Sequence, residues 1–243
     1  MPLPETFAAT LVAARDLAPS VRGLAFERDD GRPVGHAPGQ WVNLVLPLPS
    51  GEIRRAYSIA SAADGSPRFD LAVTRVGGGL GSGYLCDLPV GARLSAVGPQ
   101  GFFTREATSP HPALLVGTGT GVTPLRSMLL SAVAAGSPAP MCLLLGVRTE
   151  ADRLYADELA ALAAAHPNVR FETTLSRPSD AWTGRRGWVQ AHVPDLLAEL
   201  QAAGAGEPHL YVCGLERMVK AVRELARKQL GLPRERVHGE RYD

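Results

Sequence analysis

The sequence motif best suited to bind a ligand is Gly117-Thr118-Gly119-Thr120-Gly121-Val122-Thr123-Pro124. It lies between an apolar run at residues 113–116 and a segment of helical character, so it is predicted to be a strand-to-helix turn. Glycines there allow the backbone amides and the helix N-terminus to approach a pyrophosphate closely. Its GxGxG spacing differs from the GxGxxG fingerprint, and a tight turn without a ligand is the alternative interpretation.

A second motif, Arg54-Arg55-Ala56-Tyr57-Ser58, precedes the first by about sixty residues. Arginine side chains can bind a diphosphate through paired hydrogen bonds, and a tyrosine two positions after an arginine shares its face of a strand. The phenol ring could then stack on an extended aromatic system, with Ser58 on the opposite face or at the strand end. Taken alone, the segment is more typical of an ordinary exposed strand.

The elements that would position these motifs differ between two parts of the chain. Residues 1–107 contain short alternating segments separated by Gly and Pro, which predict an antiparallel barrel or sandwich. Residues 108–243 alternate apolar strands with helices, which predicts an α/β domain with a doubly wound parallel sheet. The helices are predicted at residues 124–135, 151–165, 193–203 and 216–230.

The composition argues against several classes of protein. The chain has 243 residues, with 25 basic and 24 acidic ones, and this balance argues against binding of nucleic acid by the whole chain. No apolar run reaches the ~18 residues of a membrane span. Cys86, Cys142 and Cys213 are far apart and form no CxxC pair, so we expect no disulfide framework or iron–sulfur cluster. The six histidines have no HxxxH or HExxH spacing, so we expect no other metal site. Since the N-terminus also lacks a secretory pattern, we expect a cytoplasmic protein.

Five landmarks resemble, in order, those of the ferredoxin–NADP reductase superfamily, in which a flavin-binding barrel precedes a pyridine-nucleotide domain. They are Arg55-Ala56-Tyr57-Ser58, Gly79-Leu80-Gly81-Ser82, the Gly117–Pro124 turn, Cys213-Gly214 and Glu240-Arg241-Tyr242. The resemblance implies a two-domain fold, with an antiparallel FAD-binding β-barrel at residues 1–107 and an NAD(P)-binding α/β domain at residues 108–243.

The resemblance also implies which residues bind the flavin. These are Arg55, Ala56, Tyr57, Ser58, Ala72, Val73, Gly79, Gly81 and Ser82. Arg55 and Ser82 would hold the pyrophosphate, and Tyr57 would cover one face of the isoalloxazine. Ser58 would hydrogen-bond near its N5 atom, while Val73 and the Ala72 backbone would line the ring edge.

At the reactive centre, the resemblance implies catalytic roles for Ser58, Cys213 and Glu240, with Gly214 beside the nicotinamide. Cys86 and Cys142 would be structural. Plant-type members end on a stacking aromatic residue, whereas Tyr242 is followed by one more residue, so its stacking on the flavin is left open.

The choice of nucleotide depends on two segments. Ser176-Arg177 resembles the pair by which NADP-using members hold the 2′-phosphate, and Arg148 would add charge. Residues 182–189, Trp-Thr-Gly-Arg-Arg-Gly-Trp-Val, resemble a segment of NAD-linked oxygenase reductases. We expect NADP(H) to be favoured over NAD(H).

The chain is therefore expected to be an FAD-dependent oxidoreductase passing electrons between NAD(P)H and a one-electron partner. Ferredoxin, flavodoxin or another small redox protein would be that partner. The alternatives are an NAD(P)H:flavin reductase that releases reduced flavin, or a reductase component of an oxygenase or larger electron-transfer complex.

Overall fold

The structure is a computed structural model that describes residues 4–49, 51–203 and 206–242. The outer ends of the two predicted domains, residues 1–3 and 243, lie outside the described residues. Within these ranges the chain forms two six-stranded sheets, one antiparallel and one parallel, as the sequence predicted. No helix in the described ranges is long and apolar enough to cross a membrane.

The N-terminal sheet is an antiparallel barrel. Its strands are β1 (Thr6–Ala18), β2 (Val21–Arg28), β3 (Trp41–Leu48), β4 (Gly51–Ser58), β5 (Arg68–Thr74) and β6 (Arg93–Gln100), in the order β4-β3-β6-β1-β2-β5. Just after β4, the Ala60 amide donates a 2.8 Å hydrogen bond to the Asp70 carbonyl on β5, so the two edges of the sheet meet. Alternate residues such as Leu11, Leu44 and Phe69 fill the interior, and helix α1 (Leu80–Asp87) covers one end.

The C-terminal sheet is parallel and covered on both faces. Its strands are β7 (Ala113–Thr118), β8 (Met141–Val147), β9 (Val169–Leu175), β10 (Arg185–Arg186), β11 (His209–Leu215) and β12 (Val237–Tyr242), in the order β10-β9-β8-β7-β11-β12. The helices are α2 (Val122–Ala134), α3 (Ala156–Ala165), α4 (Val193–Ala202) and α5 (Glu216–Glu224), the last continuing as a π-helical turn over Leu225–Gln229. On β7, Ala113 and Leu115 pack with α2 and α3, whereas Leu114 and Val116 pack with α4 and α5.

Two helix boundaries differ from the sequence prediction. The helix expected from residue 151 begins only at Ala156, because a 3₁₀ turn over Glu150–Asp152 comes first and Tyr155 has the left-handed φ of 57°. Helix α2 begins at Val122, two residues before Pro124, so the proline lies within the first turn. The two-residue strand β10 was not predicted, since residues 185–186 carry no apolar pattern.

Helix α2 lies between the barrel and the parallel sheet. Its Leu125 and Met128 share one apolar cluster with Val21, Ala60 and Phe103 of the barrel half. Because the cluster draws on both halves, removing either half would expose apolar surface of the other.

Arg126 on α2 adds a buried polar contact to the same seam, with its side chain 8% exposed. It donates to the Ala60 carbonyl at 2.6 Å and, through two nitrogens, to the Glu158 carboxylate at 2.9 and 2.5 Å. The guanidinium also lies 4.6 Å from the centroid of the Tyr155 ring. One side chain therefore joins the end of the barrel strand to α2 and α3.

A second buried arginine, Arg105, organises the connection between the halves. Its guanidinium donates to the carbonyls of Glu106, Ser109 and His111 at 3.0–3.2 Å, which folds this segment into a compact loop. The domain boundary between residues 107 and 108 falls within the loop and stays a prediction.

We expect Arg126→Ala to lower the free energy of unfolding by roughly 2–3 kcal/mol. A fully buried pair costs ~3–5 kcal/mol to break, and the value is reduced here because the Glu158 side chain is 36% exposed. Urea denaturation followed by circular dichroism measures it. Arg170→Ala is the matched control: its ion pairs with Glu172 and Glu199 are exposed, so the loss stays below about 1 kcal/mol. Equal losses in the two variants would contradict the role given to Arg126.

Candidate functional site

A cleft of about 1190 Å³ lies between the barrel and the C-terminal edge of the parallel sheet. This exceeds the ~300–1,000 Å³ of a typical single-ligand pocket. The sequence-predicted residues that line it are Arg55, Ala56, Tyr57, Ser58, Ala72, Gly79, Gly81, Ser82, Thr118, Gly119, Thr120, Thr123, Arg148, Ser176, Gly214, Glu240 and Tyr242. Residues from both motifs therefore face one space.

Strand β4 and helix α1 form the barrel wall of the cleft. The stem of Arg55 packs on Gly81, where an added Cβ would lie 3.2 Å from the Arg55 Cγ. The guanidinium is exposed and donates to the Arg54 carbonyl at 2.9 Å. Beside it, burial raises the pKa of Tyr57 to about 12, so the phenol stays neutral.

The loop before α1 is held by the Ser82 hydroxyl. This oxygen accepts a hydrogen bond from the Val76 amide at 3.1 Å and donates to the Gly79 carbonyl at 3.2 Å. The Ser82 proton is therefore occupied by the Gly79 carbonyl. An anion bound here would contact Arg55 and the backbone amides at the N-terminus of α1.

The turn between β7 and α2 forms the opposite wall. A Cβ on Gly121 would lie 2.3 Å from the Cys213 carbonyl oxygen, and one on Gly214 would lie 2.3 Å from the Thr118 hydroxyl, so both positions require glycine. Gly119 has a φ of 53° and open space around its α-carbon. The turn is thus packed tightly on β11 and open toward the cleft.

A hydrogen-bonded chain of four side chains crosses the cleft. Tyr242 on β12 donates to the Ser58 hydroxyl at 2.6 Å, and Ser58 donates to the Glu240 carboxylate at 3.3 Å. The Tyr242 oxygen is also 3.3 Å from the Thr123 hydroxyl, at the start of α2. Burial raises the pKa of Glu240 to about 7, against the lowering effect of the Ser58 hydrogen bond. Glu240 can therefore hold or release a proton near neutral pH.

Several predicted site residues lie behind the cleft wall. Gly117, Gly121 and Pro124 are buried in the turn and the start of α2. Cys213 is buried on β11, and desolvation raises its thiol pKa, with the Glu240 charge adding to the effect. The thiol is therefore neutral, and Cys213 lies beside Glu240 in the β11–β12 register.

The prediction that Val73 lines the cleft is wrong for its side chain. Val73 is fully buried in the barrel interior, whereas Ala72 and Thr74 face the cleft. Successive residues of a strand point to opposite faces, so with Ala72 toward the cleft the Val73 side chain points into the barrel.

The candidate phosphate-binding residues follow neighbouring strands. The Ser176 amide donates to the Val147 carbonyl at 3.0 Å and the Arg177 amide to the Arg148 carbonyl at 2.8 Å, which holds the ends of β8 and β9 together. Arg148 and Arg177 are exposed, and neither has a carboxylate within 4.0 Å in the described part of the chain. Arg185, by contrast, pairs with Glu172 at 3.3 Å.

Other residues that line the cleft were not predicted from the sequence as site residues. These are Trp41, Thr74, Val76, Leu80, Trp188 and Arg217, among others. Trp41 is opposite Ser58 in the β3–β4 register, a relation visible only once the strands are paired. Trp188 is 69% exposed and offers an indole ring that could stack on a base.

The residues present fit the two dinucleotides that the resemblance implies. The Thr118 hydroxyl oxygen is buried beside the cleft without a hydrogen-bond partner in the described residues, and the turn around it faces open space. Exposed arginines lie along the cleft, with the apolar and aromatic surfaces of Tyr57 and Trp188 between them. Cations with flat apolar surfaces suit phosphates joined to planar rings.

The Glu240 carboxyl predicts a pH dependence of stability. Its pKa is raised from an ordinary 4.5 to about 7, so between these values the folded protein binds a proton that the unfolded chain releases. The quantity to compare is the difference in the free energy of unfolding, native protein minus the Glu240→Gln variant. We expect this difference to fall as pH rises from 4.5 to 7. Urea denaturation at pH 5 and pH 8 measures it, with Glu235→Gln, in the exposed turn before β12, as the control. A difference that is constant or rises with pH would refute the assignment.

Two family models match the chain. The oxidoreductase FAD-binding domain matches residues 8–104, and the oxidoreductase NAD-binding domain matches residues 115–224. The first range covers nearly all of the barrel strands, and the second contains the glycine-rich turn and most of the parallel sheet.

Relatives match over nearly the whole chain. Ferredoxin–NADP reductase B of Sorangium cellulosum is 61% identical over 240 residues, 98% of both chains. The toluate 1,2-dioxygenase electron transfer component of Pseudomonas putida is 32% identical over 92% of this chain, which spans 64% of that protein. The crystal structure of the Amycolatopsis cytochrome P450 reductase GcoB superposes with a TM-score of 0.83 at 31% identity, over 98% of this chain and 70% of that one. The chain belongs to the ferredoxin–NADP reductase superfamily.

Proposed function

We propose that the protein is an FAD-dependent reductase that passes electrons between NADPH and a small one-electron redox protein such as ferredoxin or flavodoxin. The observation that carries this proposal is the single cleft in which the Arg55–Ser58 strand faces the Thr118–Gly121 turn. The 61% identity to a ferredoxin–NADP reductase over nearly its full length supports it.

FAD, when bound, supplies the chemistry of the step: it takes two electrons as a hydride and gives them up singly. The chain supplies position and electrostatics. Arg55 would bind the flavin pyrophosphate beside the start of α1, and Tyr57 would pack against the ring system. The turn from Thr118 to Gly121 would bind the nucleotide pyrophosphate through its amides.

Ser58, Glu240 and Tyr242 would hold a proton near the reacting atoms. With a pKa of about 7, Glu240 exchanges its proton without a large energetic cost at neutral pH. The Ser58 hydroxyl, which accepts from Tyr242 and donates to Glu240, would link the carboxyl to the cleft. Tyr242 fills part of the space beside Ser58, so a nicotinamide ring entering here would have to displace its phenol.

NADPH is the proposed nucleotide because of the cations after β8 and β9. Arg148 and Arg177, with the Ser176 hydroxyl, present charge and a donor to a dianionic phosphate, and no carboxylate of the described residues neutralises them. The redox partner and the cytoplasmic location stay predictions. The buried, unbridged cysteines are compatible with that location.

We expect the purified protein to retain FAD through gel filtration and to reduce a ferredoxin with NADPH. Arg55→Ala weakens FAD binding about tenfold or more, a change of ~1.4 kcal/mol or above, because it removes the guanidinium facing the cleft. Absorbance of the protein fraction and flavin fluorescence titration of the apoprotein measure these properties.

Arg54→Ala is the matched control for Arg55→Ala. Arg54 is the adjacent exposed arginine but does not line the cleft, so FAD affinity stays within about twofold of the native value. Flavin that elutes separately, with turnover that needs no protein acceptor, would support the flavin reductase alternative. A protein that binds no flavin would overturn the proposal.

Arg177→Ala tests the choice of nucleotide. The ratio of kcat/KM for NADPH to that for NADH is expected to fall about tenfold or more, since only NADPH carries the 2′-phosphate. Arg170→Ala, at the opposite end of β9, should leave the ratio unchanged. An unaltered ratio in Arg177→Ala would remove this residue from the 2′-phosphate site.

A further inference from the structure

Most of the arginines that line the cleft have no carboxylate partner among the described residues. Across the described ranges, eleven arginines form ion pairs within 4.0 Å, including Arg28, Arg75 and Arg126. Four arginines line the cleft: Arg55, Arg148, Arg217 and Arg241. Of these, only Arg241 has a carboxylate partner among the described residues. The first two are accounted for by the sequence motifs, whereas Arg217 belongs to none of them.

The charge of Arg217 is not neutralised by its acidic neighbour. Glu216 precedes it in the first turn of α5, but its carboxylate binds the Arg241 guanidinium at 2.6 Å. Arg217 itself is exposed and faces the cleft. Cations that line a concave site without a counterion attract and bind anionic ligands.

The position of Arg217 follows from the strand order. The loops that follow the strands lie side by side along one edge of the sheet. Their spatial order is that of the strands themselves: β9, β8, β7 and β11. Ser176 and Arg177 follow β9, and Arg148 follows β8. The glycine-rich turn follows β7, and Arg217 lies on the far side of that turn, after β11. Arg217 and Arg177 therefore flank the turn from opposite sides.

The segment that carries Arg217 is fixed against the turn. Cys213 pairs with Gly117 in the strand register, and the Gly214 α-carbon leaves no room for a Cβ beside the Thr118 hydroxyl. Only two residues separate Gly214 from Arg217. The arginine is thus anchored by backbone packing to the part of the turn that would bind a pyrophosphate.

We infer that Arg217 is a cation that binds the pyrophosphate of the nicotinamide nucleotide beside the amides of the turn, acting equally on NADPH and NADH. The inference rests on the proposed function, since it takes the turn as the nucleotide site. It divides the arginines by role: those after β8 and β9 distinguish the 2′-phosphate, whereas Arg217 contributes affinity for the diphosphate common to both nucleotides. Arginine suits this role because its planar group can bind two phosphate oxygens at once.

Two fragments of the nucleotide separate these roles. ADP-ribose carries the pyrophosphate without a 2′-phosphate, and 2′-phospho-AMP carries the 2′-phosphate without a pyrophosphate. Isothermal titration of the FAD-loaded protein measures the Kd of each. We expect Arg217→Ala to weaken ADP-ribose about tenfold and 2′-phospho-AMP less than about twofold, with the opposite pattern for Arg177→Ala.

Two further variants control for folding and for general charge. Lys220→Ala removes a cation from the same helix that does not line the cleft, and both Kd values should stay within about twofold. Arg217→Lys keeps the charge and should recover part of the ADP-ribose affinity.

Other outcomes would overturn the inference. Loss of 2′-phospho-AMP binding alone in Arg217→Ala would make Arg217 part of the 2′-phosphate site, and unchanged affinity for both fragments would make it a solvated surface residue. A native protein that binds neither fragment would instead overturn the nucleotide site of the proposed function, and this inference with it.

Discussion

The contact on which the site depends is that of Arg126 with the Ala60 carbonyl and the Glu158 carboxylate. Ala60 lies two residues beyond Ser58, and Arg126 lies in the helix that begins at the glycine-rich turn. The guanidinium therefore fixes the distance between the strand that would hold the flavin and the turn that would hold the nucleotide. The hydrophobic effect stabilises the contact between the halves but is non-directional, whereas this charge-assisted hydrogen bond has a defined geometry.

The hydroxyl groups that form the hydrogen-bonded chain and the arginine side chains occupy different parts of the cleft. The hydroxyls of Thr123, Tyr242 and Ser58 form a chain that ends at the Glu240 carboxylate, and burial there keeps the carboxyl near its point of half-protonation at neutral pH. The arginines lie along the outer edge, where solvent lowers the energetic cost of an unpaired charge. In the proposed function, proton chemistry would thus take place in the enclosed centre and phosphates would bind along the open rim.

The sequence predicted the fold because the fold depends on local patterns, and the roles of the site residues stay predictions. Strand alternation, helix periodicity and glycine-rich turns are short-range features, and the order of the motifs gave the family resemblance. Contacts across the seam could not be predicted, since Arg126 meets Ala60 only after both halves have folded. Arg217 was missed for the same reason: nothing in the segment after Gly214 indicates that an arginine faces a cleft. The side-chain direction of Val73 was a different kind of error, because the alternation of β5 was available in the sequence and was not applied to it.

The apolar cluster that α2 shares with the barrel has a further consequence, for the evolution of this architecture. Each half covers hydrophobic surface of the other. Either half fused alone to another polypeptide would therefore expose a hydrophobic patch that favours aggregation. The two halves would therefore be incorporated together into a longer protein. This agrees with the longer Pseudomonas putida relative, in which the match covers 92% of the present chain, both halves included, and 64% of that protein.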